Sequence, residues 1–302
     1  MNQYRLEQLF PTIFIHPKID VFRFISPSIG YGVVAVAEIE QGELLAEIPF
    51  SECIIAPNQK LLAEKIARNQ QDSKWSEYIS FILESGVLNN VPIMWTNVSG
   101  ISGSLKFLLE SIHADFPNVP RWASAYMLSR SFEIEDDNTS SIASVPIGDL
   151  FNHSTKAYNT RIRQYDNGFR FYAESKISAG CEIFNNYGID DSLTMFATHG
   201  FWDTDLITNI VFIPIKFLLE TTTEEDEQFL LQIVIDENNI ANSCREFLEV
   251  YKDQAVDRLL KGIEKMIHEL KDYSPCDNPQ LQIINQSQLE NLEVLYKNFT
   301  FQ

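Results

Sequence analysis

Four short segments of the sequence contain residue types that could carry out chemistry. These segments are Ser28–Ala35, Leu128–Phe132, Gly148–Ser154 and Glu182–Gly188. They supply a guanidinium from Arg130, an amide beside an imidazole from Asn152-His153, and a phenol from Tyr187. A guanidinium stays charged and presents a planar fork that suits a carboxylate. Each segment alone also has a structural explanation: a glycine turn, a helix-end cation, a satisfied polar pair or a strand end.

The glycines of the first segment do not form a dinucleotide-binding loop. Such a loop has the pattern G-x-G-x-x-G, follows a strand and opens a helix. Here Gly30 and Gly32 precede a strand-like run, and Ala35 stands where the third glycine would be. A Rossmann fold is therefore excluded.

Metal binding is not indicated either. The cysteines are far apart and form no C-x-x-C pair: Cys53, Cys181, Cys244 and Cys276. The histidines are not at ligand spacing: His16, His113, His153, His199 and His268. We therefore expect no metal and no disulfide framework, and we interpret the cysteines as reduced packing residues.

The elements that must position these segments begin with strands and a helical insert. Two apolar runs between Tyr31 and Pro49, separated by a polar turn at Gln41-Gly42, predict a β-hairpin. A helical stripe follows and is interpreted as packing: Trp75, Tyr78, Ile79, Ile82 and Leu83. A second helix is predicted over Arg121–Phe132, and the acidic, serine-rich stretch Glu133–Ser144 is predicted to be a surface loop.

The second half of the chain returns to strands and ends in helices. Phe169, Phe171 and Ala173 alternate with polar residues after an Asp166-Asn167-Gly168 turn, as in a half-buried strand. Helical spacing runs from Leu248 to Leu270 and again from Leu289 to Phe299, and the acidic run Glu224–Glu227 is assigned to a solvated loop or helix start. This order of elements predicts an α+β fold.

Composition excludes several classes of protein. The 302 residues include 23 Lys plus Arg and 42 Asp plus Glu, a net charge of −19, which disfavours nucleic-acid binding. With 45% hydrophobic residues the chain is not disordered, and no uncharged run is long enough to span a membrane. Without a signal peptide, we expect a cytoplasmic or nuclear protein.

Taken together, the four segments resemble the SET-domain protein methyltransferases, in particular the subfamily of the Rubisco large-subunit lysine methyltransferase. The resemblance covers Ile29 to Trp202, and its specific part is D-L-x-N-H followed by E-I-x-N-x-Y-G. It implies short β-sheets with pseudoknot-like threading. It also implies a SET domain over residues 1–205, with a helical insert at about 57–125, and a C-terminal helical lobe over 206–302.

The resemblance also implies a cofactor, S-adenosyl-L-methionine, and the residues that hold it. Tyr187 is the expected catalytic phenol, and Arg130 is expected to face the methionine carboxylate. The other expected cofactor residues are Ile29, Gly30, Tyr31, Asp149, Leu150, Phe151, Asn152, His153, Gly200, Phe201 and Trp202. Methyl transfer from a sulfonium is an in-line displacement, so the enzyme must align donor and acceptor and receive lysine as the neutral amine.

One residue departs from the family pattern. His199 stands before Gly200-Phe201, where the Rubisco-type enzymes commonly have Tyr. It could line the substrate channel or simply be a partly buried packing histidine. A channel role would alter the polarity around the acceptor and keeps open a histidine acceptor.

These implications give the expected function. We expect an S-adenosylmethionine-dependent protein-lysine N-methyltransferase, with a histidine methyltransferase or an inactive peptide-binding module as alternatives. Its expected partner is a basic protein such as a ribosomal protein, a histone or another lysine-bearing protein, with no nucleic acid and no membrane. We expect the chain to be a monomer.

Overall fold

The structure of the protein is a computed structural model that describes residues 3–71, 74–95, 101, 103–136, 139–217, 230–235, 253–272 and 279–300. The helices in these ranges are α1 (Gln3–Leu9), α2 (Gln59–Asn69), α3 (Lys74–Glu84), α4 (Gly103–Asp115), α5 (Arg121–Arg130), α6 (Ser192–His199), α7 (Asp253–Lys271) and α8 (Pro279–Thr300). The strands are β1 (Phe14–Ile15), β2 (Ile19–Ser26), β3 (Gly30–Ala35), β4 (Leu44–Pro49), β5 (Ile54–Ala56), β6 (Ser131–Asp136), β7 (Thr139–Ser144), β8 (Thr160–Tyr165), β9 (Gly168–Ala173), β10 (Ile210–Pro214) and β11 (Leu230–Val234).

The chain packs as two compact units, each assembled from separate stretches of sequence. The first comprises Met1–Met94, Asn118–Ile189 and Thr198–Gly200, and the second comprises Trp95–Pro117, Asp190–Ala197 and Phe201–Gln302. The predicted division near residue 205 and the insert limits at about 57–125 stay predictions. The predicted α+β class is confirmed, because helices accompany short antiparallel sheets.

Three of these sheets belong to the first unit. Their strand orders are β1-β4-β9-β8, β2-β3 and β5-β7-β6. The predicted alternation after the Asp166-Asn167 turn is confirmed in β9, where Phe169, Phe171 and Ala173 are buried. Strands β3, β4 and β9 carry most of the buried strand residues of these sheets and contribute them to the core of the unit.

A central segment at residues 181–187 is hydrogen-bonded on both sides. On one side it pairs with β3, since Ile183 N–H donates to the Val33 carbonyl at 2.7 Å. On the other side Asn185 N–H donates to the Asn152 carbonyl at 2.8 Å, and Ser154 N–H donates to the Asn185 carbonyl at 2.9 Å. The segment therefore lies between β3 and residues 152–154, and its predicted pseudoknot-like threading stays a prediction.

The predicted hairpin between Tyr31 and Pro49 is wrong in its pairing, although both strands exist. β3 pairs with β2, whereas β4 pairs with β1 and β9. The connection between them bonds elsewhere: Ile39 forms a bridge with Ile177, and Gly42 N–H donates to the Ala173 carbonyl at 2.8 Å. Because the connection forms these long-range hydrogen bonds, the two strands lie in separate sheets.

The predicted loop at Glu133–Ser144 is also wrong, because β6 and β7 occupy it. β7 is the middle strand of its sheet, paired with both β5 and β6. Ile134 and Ile142 are buried, so two apolar side chains and the ladder bonds outweigh the acidic, serine-rich composition. The preceding helix ends at Arg130 rather than Phe132, since Ser131 begins β6.

The helical stripe predicted around Trp75 is confirmed in α3. Trp75, Tyr78, Ile79 and Ile82 are buried, as their spacing on one helix face requires. The cysteine interpretation holds only in part, since Cys53 is partly buried but Cys181 is exposed. Cys244 and Cys276 lie outside the described residues.

The second unit packs long helices on a two-stranded sheet. Its apolar core joins Val211 and Ile213 of β10 with Leu259 and Ile263 of α7 and Leu295 of α8. The helices predicted near the C-terminus are thus confirmed for residues 253–271 and 279–300. Leu248, Tyr251 and the acidic run at 224–227 lie outside the described residues. No helix within the described ranges has the length and apolarity to cross a membrane.

Candidate functional site

Tyr187 lies at the end of the central segment and is held at both its backbone and its hydroxyl. The phenol hydroxyl donates to the Phe151 carbonyl at 3.3 Å. The Tyr187 backbone N–H donates to His153 Nδ1 at 3.1 Å. Burial raises the pKa of Tyr187 to about 12, so the hydroxyl stays protonated at neutral pH. The phenol is therefore a fixed, uncharged hydrogen-bond donor.

His153 positions the Tyr187 backbone. Because Nδ1 accepts from Tyr187 N–H, the neutral ring carries its proton on Nε2, which lies 3.0 Å from Thr155 Oγ1. The imidazole and phenol rings are 5.0 Å apart, and His153 pairs in parallel with Asn185. These contacts explain why histidine suits this position.

His199 also packs against Tyr187. The two ring centroids are 4.9 Å apart with an interplanar angle of 32°, and His199 Nδ1 lies 2.8 Å from Thr198 Oγ1. Burial, with smaller contributions from His153 and Arg130, lowers the pKa of His199 to about 3. The imidazole is therefore neutral under physiological conditions, and the surroundings of Tyr187 disfavour a positive charge.

Asn152 joins three segments of the predicted site. Its side-chain amide donates to the Tyr31 carbonyl at 3.2 Å and to Glu182 Oε1 at 2.7 Å. A Cβ at Gly32 would lie 2.6 Å from both Asn152 Nδ2 and Glu182 Oε1, so only glycine allows this approach. Burial raises the pKa of Glu182, while the Asn152 hydrogen bond opposes the rise.

Arg130 contacts both the backbone carbonyl and the side-chain carboxylate of Asp149. Its Nη1 donates to the Asp149 carbonyl at 2.8 Å and lies 3.5 Å from Asp149 Oδ2. The Arg130 side chain is 12% exposed, and its Nε is buried with no hydrogen-bond partner among the described residues. A guanidinium donor therefore remains available inside the site.

Two tyrosines of the helices hold the Asp149 carboxylate. Tyr126 of α5 donates to Oδ2 at 3.1 Å, and Tyr78 of α3 donates a short hydrogen bond to Oδ1. Both tyrosines and the Asp149 side chain are fully buried. Burial raises the pKa of Asp149, whereas Arg130 and the tyrosine hydroxyls counteract the rise.

The residues after Asp149 form the apolar floor beside Tyr187. Leu150 and Phe151 are buried, and the Phe151 ring stacks on Phe171 of β9 with centroids 4.9 Å apart. This stacking fixes the segment whose carbonyl receives the Tyr187 hydroxyl. The side chains of Leu150 and Phe151 thus serve packing, while the Phe151 carbonyl faces the phenol.

The Ile29-Gly30 segment, which is predicted to bind the cofactor, is held by a short turn after α3. Asn90 Nδ2 donates to the Ser28 carbonyl at 3.0 Å, and a Cβ at Gly30 would contact the Val87 side chain at 3.4 Å. Gly200 approaches the same turn, because its Cβ position is 2.3 Å from the Asn90 carbonyl oxygen. Ile29 itself is 44% exposed.

Two predicted cofactor residues belong to the second compact unit. Phe201 and Trp202 are partly buried there, in a stretch without helix or strand, and their expected contact with adenine stays a prediction. In the described part of the chain, no group of three His, Cys, Asp or Glu residues is arranged to hold a metal. The structure brings the remaining candidates together in the first unit, and the roles assigned to them stay predictions.

Four residues at this site were not predicted as functional. Tyr78 and Tyr126 hold Asp149, Glu182 accepts from Asn152, and Asn90 anchors the Ser28 carbonyl. Two of them could have been found from the sequence. Glu182 stands within the E-I-x-N-x-Y-G motif, and Tyr78 has the hydroxyl group in an otherwise apolar helical stripe. No sequence pattern distinguishes Asn90 or Tyr126 as functional residues.

Comparison with known proteins places these observations in a family. The sequence matches the SET domain family over residues 30–188. No curated protein matches the sequence. Among solved structures, the SET domain of LSMT bound to methyllysine and AdoHcy is similar with a TM-score of 0.61 and 16% identity, covering 99% of this chain and 90% of that chain.

Two further solved structures, both of Rubisco LSMT, are also similar to this chain. Rubisco LSMT bound to sinefungin and monomethyllysine has a TM-score of 0.57 at 14% identity, covering 97% of this chain and 88% of that chain. Rubisco LSMT bound to AdoMet has a TM-score of 0.54 at 15% identity, covering 99% and 89%. This likeness confirms the predicted fold. Because the family match extends over more than half of the sequence, the chain belongs to the SET-domain family.

Proposed function

We propose that the chain is an S-adenosylmethionine-dependent protein-lysine N-methyltransferase in which Tyr187 is the catalytic residue. The observation that carries the proposal is the pair formed by the Tyr187 hydroxyl and the Phe151 carbonyl, 3.3 Å apart. Oxygen atoms of this kind orient an activated methyl group through C–H···O contacts. The chain supplies them from Phe151, which is fully buried, and from Tyr187, which is partly buried.

The described residues fit the cofactor. S-adenosylmethionine, when bound, supplies an electrophilic methyl group on a sulfonium. The buried Arg130 Nε has no hydrogen-bond partner among the described residues, so a carboxylate would satisfy it. Asn152, whose amide reaches the Tyr31 carbonyl, holds two of the predicted cofactor segments together. Solved structures of Rubisco LSMT contain AdoMet or AdoHcy, which supports the same choice here.

The surroundings of Tyr187 also suit a lysine acceptor. Lysine must lose its proton before it can attack, and its ordinary pKa is about 10.4. The burial that lowers the pKa of His199 to about 3 would likewise disfavour an ammonium group beside it. Structures of LSMT with lysine and monomethyllysine support lysine as the acceptor class.

The net charge supports a basic protein substrate. At −19, the chain attracts Lys- and Arg-rich surfaces and repels polyanions. Such a field raises association rates more than it raises specificity. Ribosomal proteins and histone tails have the required charge.

One experiment tests the function and identifies the acceptor. Purified protein is incubated with cell extract and isotopically labelled S-adenosylmethionine, and labelled peptides are fragmented by mass spectrometry. We expect label on lysine with the wild type and none with Tyr187→Phe. Label on histidine would replace the lysine proposal with a histidine methyltransferase. Cofactor binding without any label in extracts would indicate a peptide-binding module instead.

A further inference from the structure

A buried polar cluster connects helices α3 and α5 to the turn that precedes Phe151. Its members are the Asp149 carboxylate, the Tyr78 and Tyr126 hydroxyls, and the Arg130 guanidinium. The Asp149 side chain is 0% exposed, and both tyrosines are 0% exposed. Apart from Arg130, which is 12% exposed, these side chains are fully removed from solvent.

Stability alone does not explain such a cluster. Burying a carboxylate and its partners carries a desolvation penalty, and replacing buried ion pairs by apolar residues is often neutral or stabilising. A phenylalanine at residue 78 would fill nearly the same volume. The Tyr78 hydroxyl therefore has a consequence beyond packing.

That hydroxyl holds a strained backbone. Besides donating to Asp149, it accepts a hydrogen bond from Ile147 N–H at 2.9 Å. Ile147 has a φ of 71°, and it is the only non-glycine residue with positive φ in the described part of the chain. A β-branched residue adopts this conformation only when its surroundings enforce it.

The strained residue starts the turn that ends beneath Tyr187. Residues 148–150 form one turn of 3-10 helix, and Phe151 N–H donates back to the Gly148 carbonyl at 3.4 Å. The carbonyl of the same residue, Phe151, receives the Tyr187 hydroxyl. The direction of that carbonyl thus depends on how the turn begins at Ile147.

We propose that Tyr78 of α3 is a positioning residue for Tyr187: its hydroxyl holds the Ile147–Phe151 turn so that the Phe151 carbonyl orients the Tyr187 phenol. The catalytic meaning of this inference rests on the proposed function. The geometric claim does not, because it concerns the orientation of one phenol and can be measured without turnover.

The first test is spectroscopic and uses a matched pair of variants. Tyr78→Phe removes the hydroxyl that contacts both Asp149 and Ile147, whereas Tyr126→Phe removes a hydroxyl that contacts Asp149 but not Ile147. Protein labelled with [13Cζ]tyrosine reports each phenol, and Tyr187→Phe assigns the Tyr187 signal. We expect the Tyr187 signal to move by more than its linewidth in Tyr78→Phe and to stay in place in Tyr126→Phe. An unmoved signal in folded Tyr78→Phe would overturn the proposal.

If Tyr78→Phe does not fold, a substitution that keeps the Tyr78 hydroxyl can test the same inference. Incorporation of 3,5-difluorotyrosine at residue 78 keeps the shape and the donated hydrogen bond but makes the hydroxyl oxygen a weaker acceptor for Ile147 N–H. We again expect a displaced Tyr187 signal. If that signal is unchanged in the folded, fluorinated protein, Tyr78 does not position Tyr187.

The second test is kinetic and separates positioning from packing. Misplacement of a catalytic group by about 1 Å can lower turnover roughly 100-fold. We expect kcat of Tyr78→Phe to fall about 10- to 100-fold with little change in KM, and Tyr126→Phe to show a smaller loss. In a Tyr187→Phe background, Tyr78→Phe should add no further loss, whereas an additive loss would refute the route through Tyr187. A wild type without methyl transfer would refute the proposed function and leave the spectroscopic test decisive.

Discussion

The imidazole of His199 packs against the phenol of Tyr187, with 4.9 Å between ring centroids and an angle of 32° between the planes. This contact explains how the departure from tyrosine at residue 199 is accommodated. A neutral imidazole is flat and aromatic, so it can cover the phenol without introducing a charge. The contact agrees with the channel role considered for His199, which stays a prediction.

The buried state of His199 predicts a pH dependence of stability. Burial lowers its pKa to about 3 in the folded protein, below the value of about 6.5 in an unfolded chain. The stabilisation by the neutral ring is therefore complete above pH 6.5 and is lost as the pH falls toward 3. Urea unfolding of wild type and His199→Phe at several pH values between 7 and 4 measures this effect.

We expect the wild type to lose stability relative to His199→Phe as the pH falls, by at most about 1.4 kcal/mol per pH unit. The other titrating groups cancel in the difference between the two proteins. A difference that stays constant over this pH range would show that folding does not change the pKa of His199.

The ion pair of Arg130 predicts a large loss of stability on truncation. Arg130→Ala leaves the buried Asp149 carboxylate without its cation, which costs about 3–5 kcal/mol in comparable sites. The control is Arg68→Ala, whose exposed guanidinium pairs with Glu64 at 3.2 Å and should contribute less than about 1 kcal/mol. Unfolding in urea measures both.

The same variant has a testable dependence on pH. Burial raises the pKa of Asp149, and loss of Arg130 removes a group that opposes this rise. Because the pKa of Asp149 is raised in the folded protein, the protonated side chain stabilises the fold at low pH. This stabilisation is lost as the pH rises through the folded pKa. The deficit of Arg130→Ala should therefore shrink toward pH 4, and Asp149→Asn in the same background should recover stability at pH 7. Persistence of the full deficit in the double variant would contradict the ion-pair explanation.

Substitution of Tyr187 should lower turnover, whereas substitution of Arg130 should lower cofactor affinity. Tyr187→Phe retains the ring and should bind S-adenosylmethionine with unchanged affinity while turnover falls at least about 100-fold. Arg130→Ala should weaken cofactor binding about 10- to 100-fold, since it loses a charged hydrogen-bond donor. Calorimetry and a labelled-methyl assay give the two quantities. Full activity in Tyr187→Phe would remove Tyr187 from catalysis.

The close approach of Gly200 to the Asn90 carbonyl predicts a specific steric effect. Gly200 has a φ of 82°, and its Cβ position is 2.3 Å from the Asn90 oxygen. Gly180 has a φ of 85° with nothing within 4 Å of its Cβ position, so Gly180→Ala should cost only the backbone strain of about 1–2 kcal/mol. Gly200→Ala should be several kcal/mol worse in urea unfolding, and equal effects would show that the loop relaxes freely.

Much of the site was predictable because its residues are close in sequence and distinctive in type. The Asn152-His153 pair and Tyr187 stand in motifs. The structure joins the motifs through a backbone hydrogen bond from Asn185 to Asn152 and through the bond from Tyr187 N–H to His153 Nδ1. Local patterns also predicted α3 and β9 correctly, since each buries one face with the expected period.

The failures come from long-range pairing, which local patterns do not encode. The strands before and after Gly42 look like a hairpin, yet bonds to residues 173–180 separate them. Tyr78 looked like one apolar position in a packing stripe. Its hydroxyl acquires a role only because the fold brings Asp149, 71 positions along the chain, against it.

The net charge of −19 predicts that methylation of a basic protein depends on salt. Exposed charges interact over about 10 Å at 0.1 M ionic strength and much less at 1 M. If the field of the protein steers a basic substrate, the rate at low substrate concentration should fall on the order of 10-fold as salt rises. A short peptide with the same acceptor residue and neutral flanks is the control, and its rate should change little. Equal salt dependence of the two substrates, or none, would leave the acidity without a role in substrate capture.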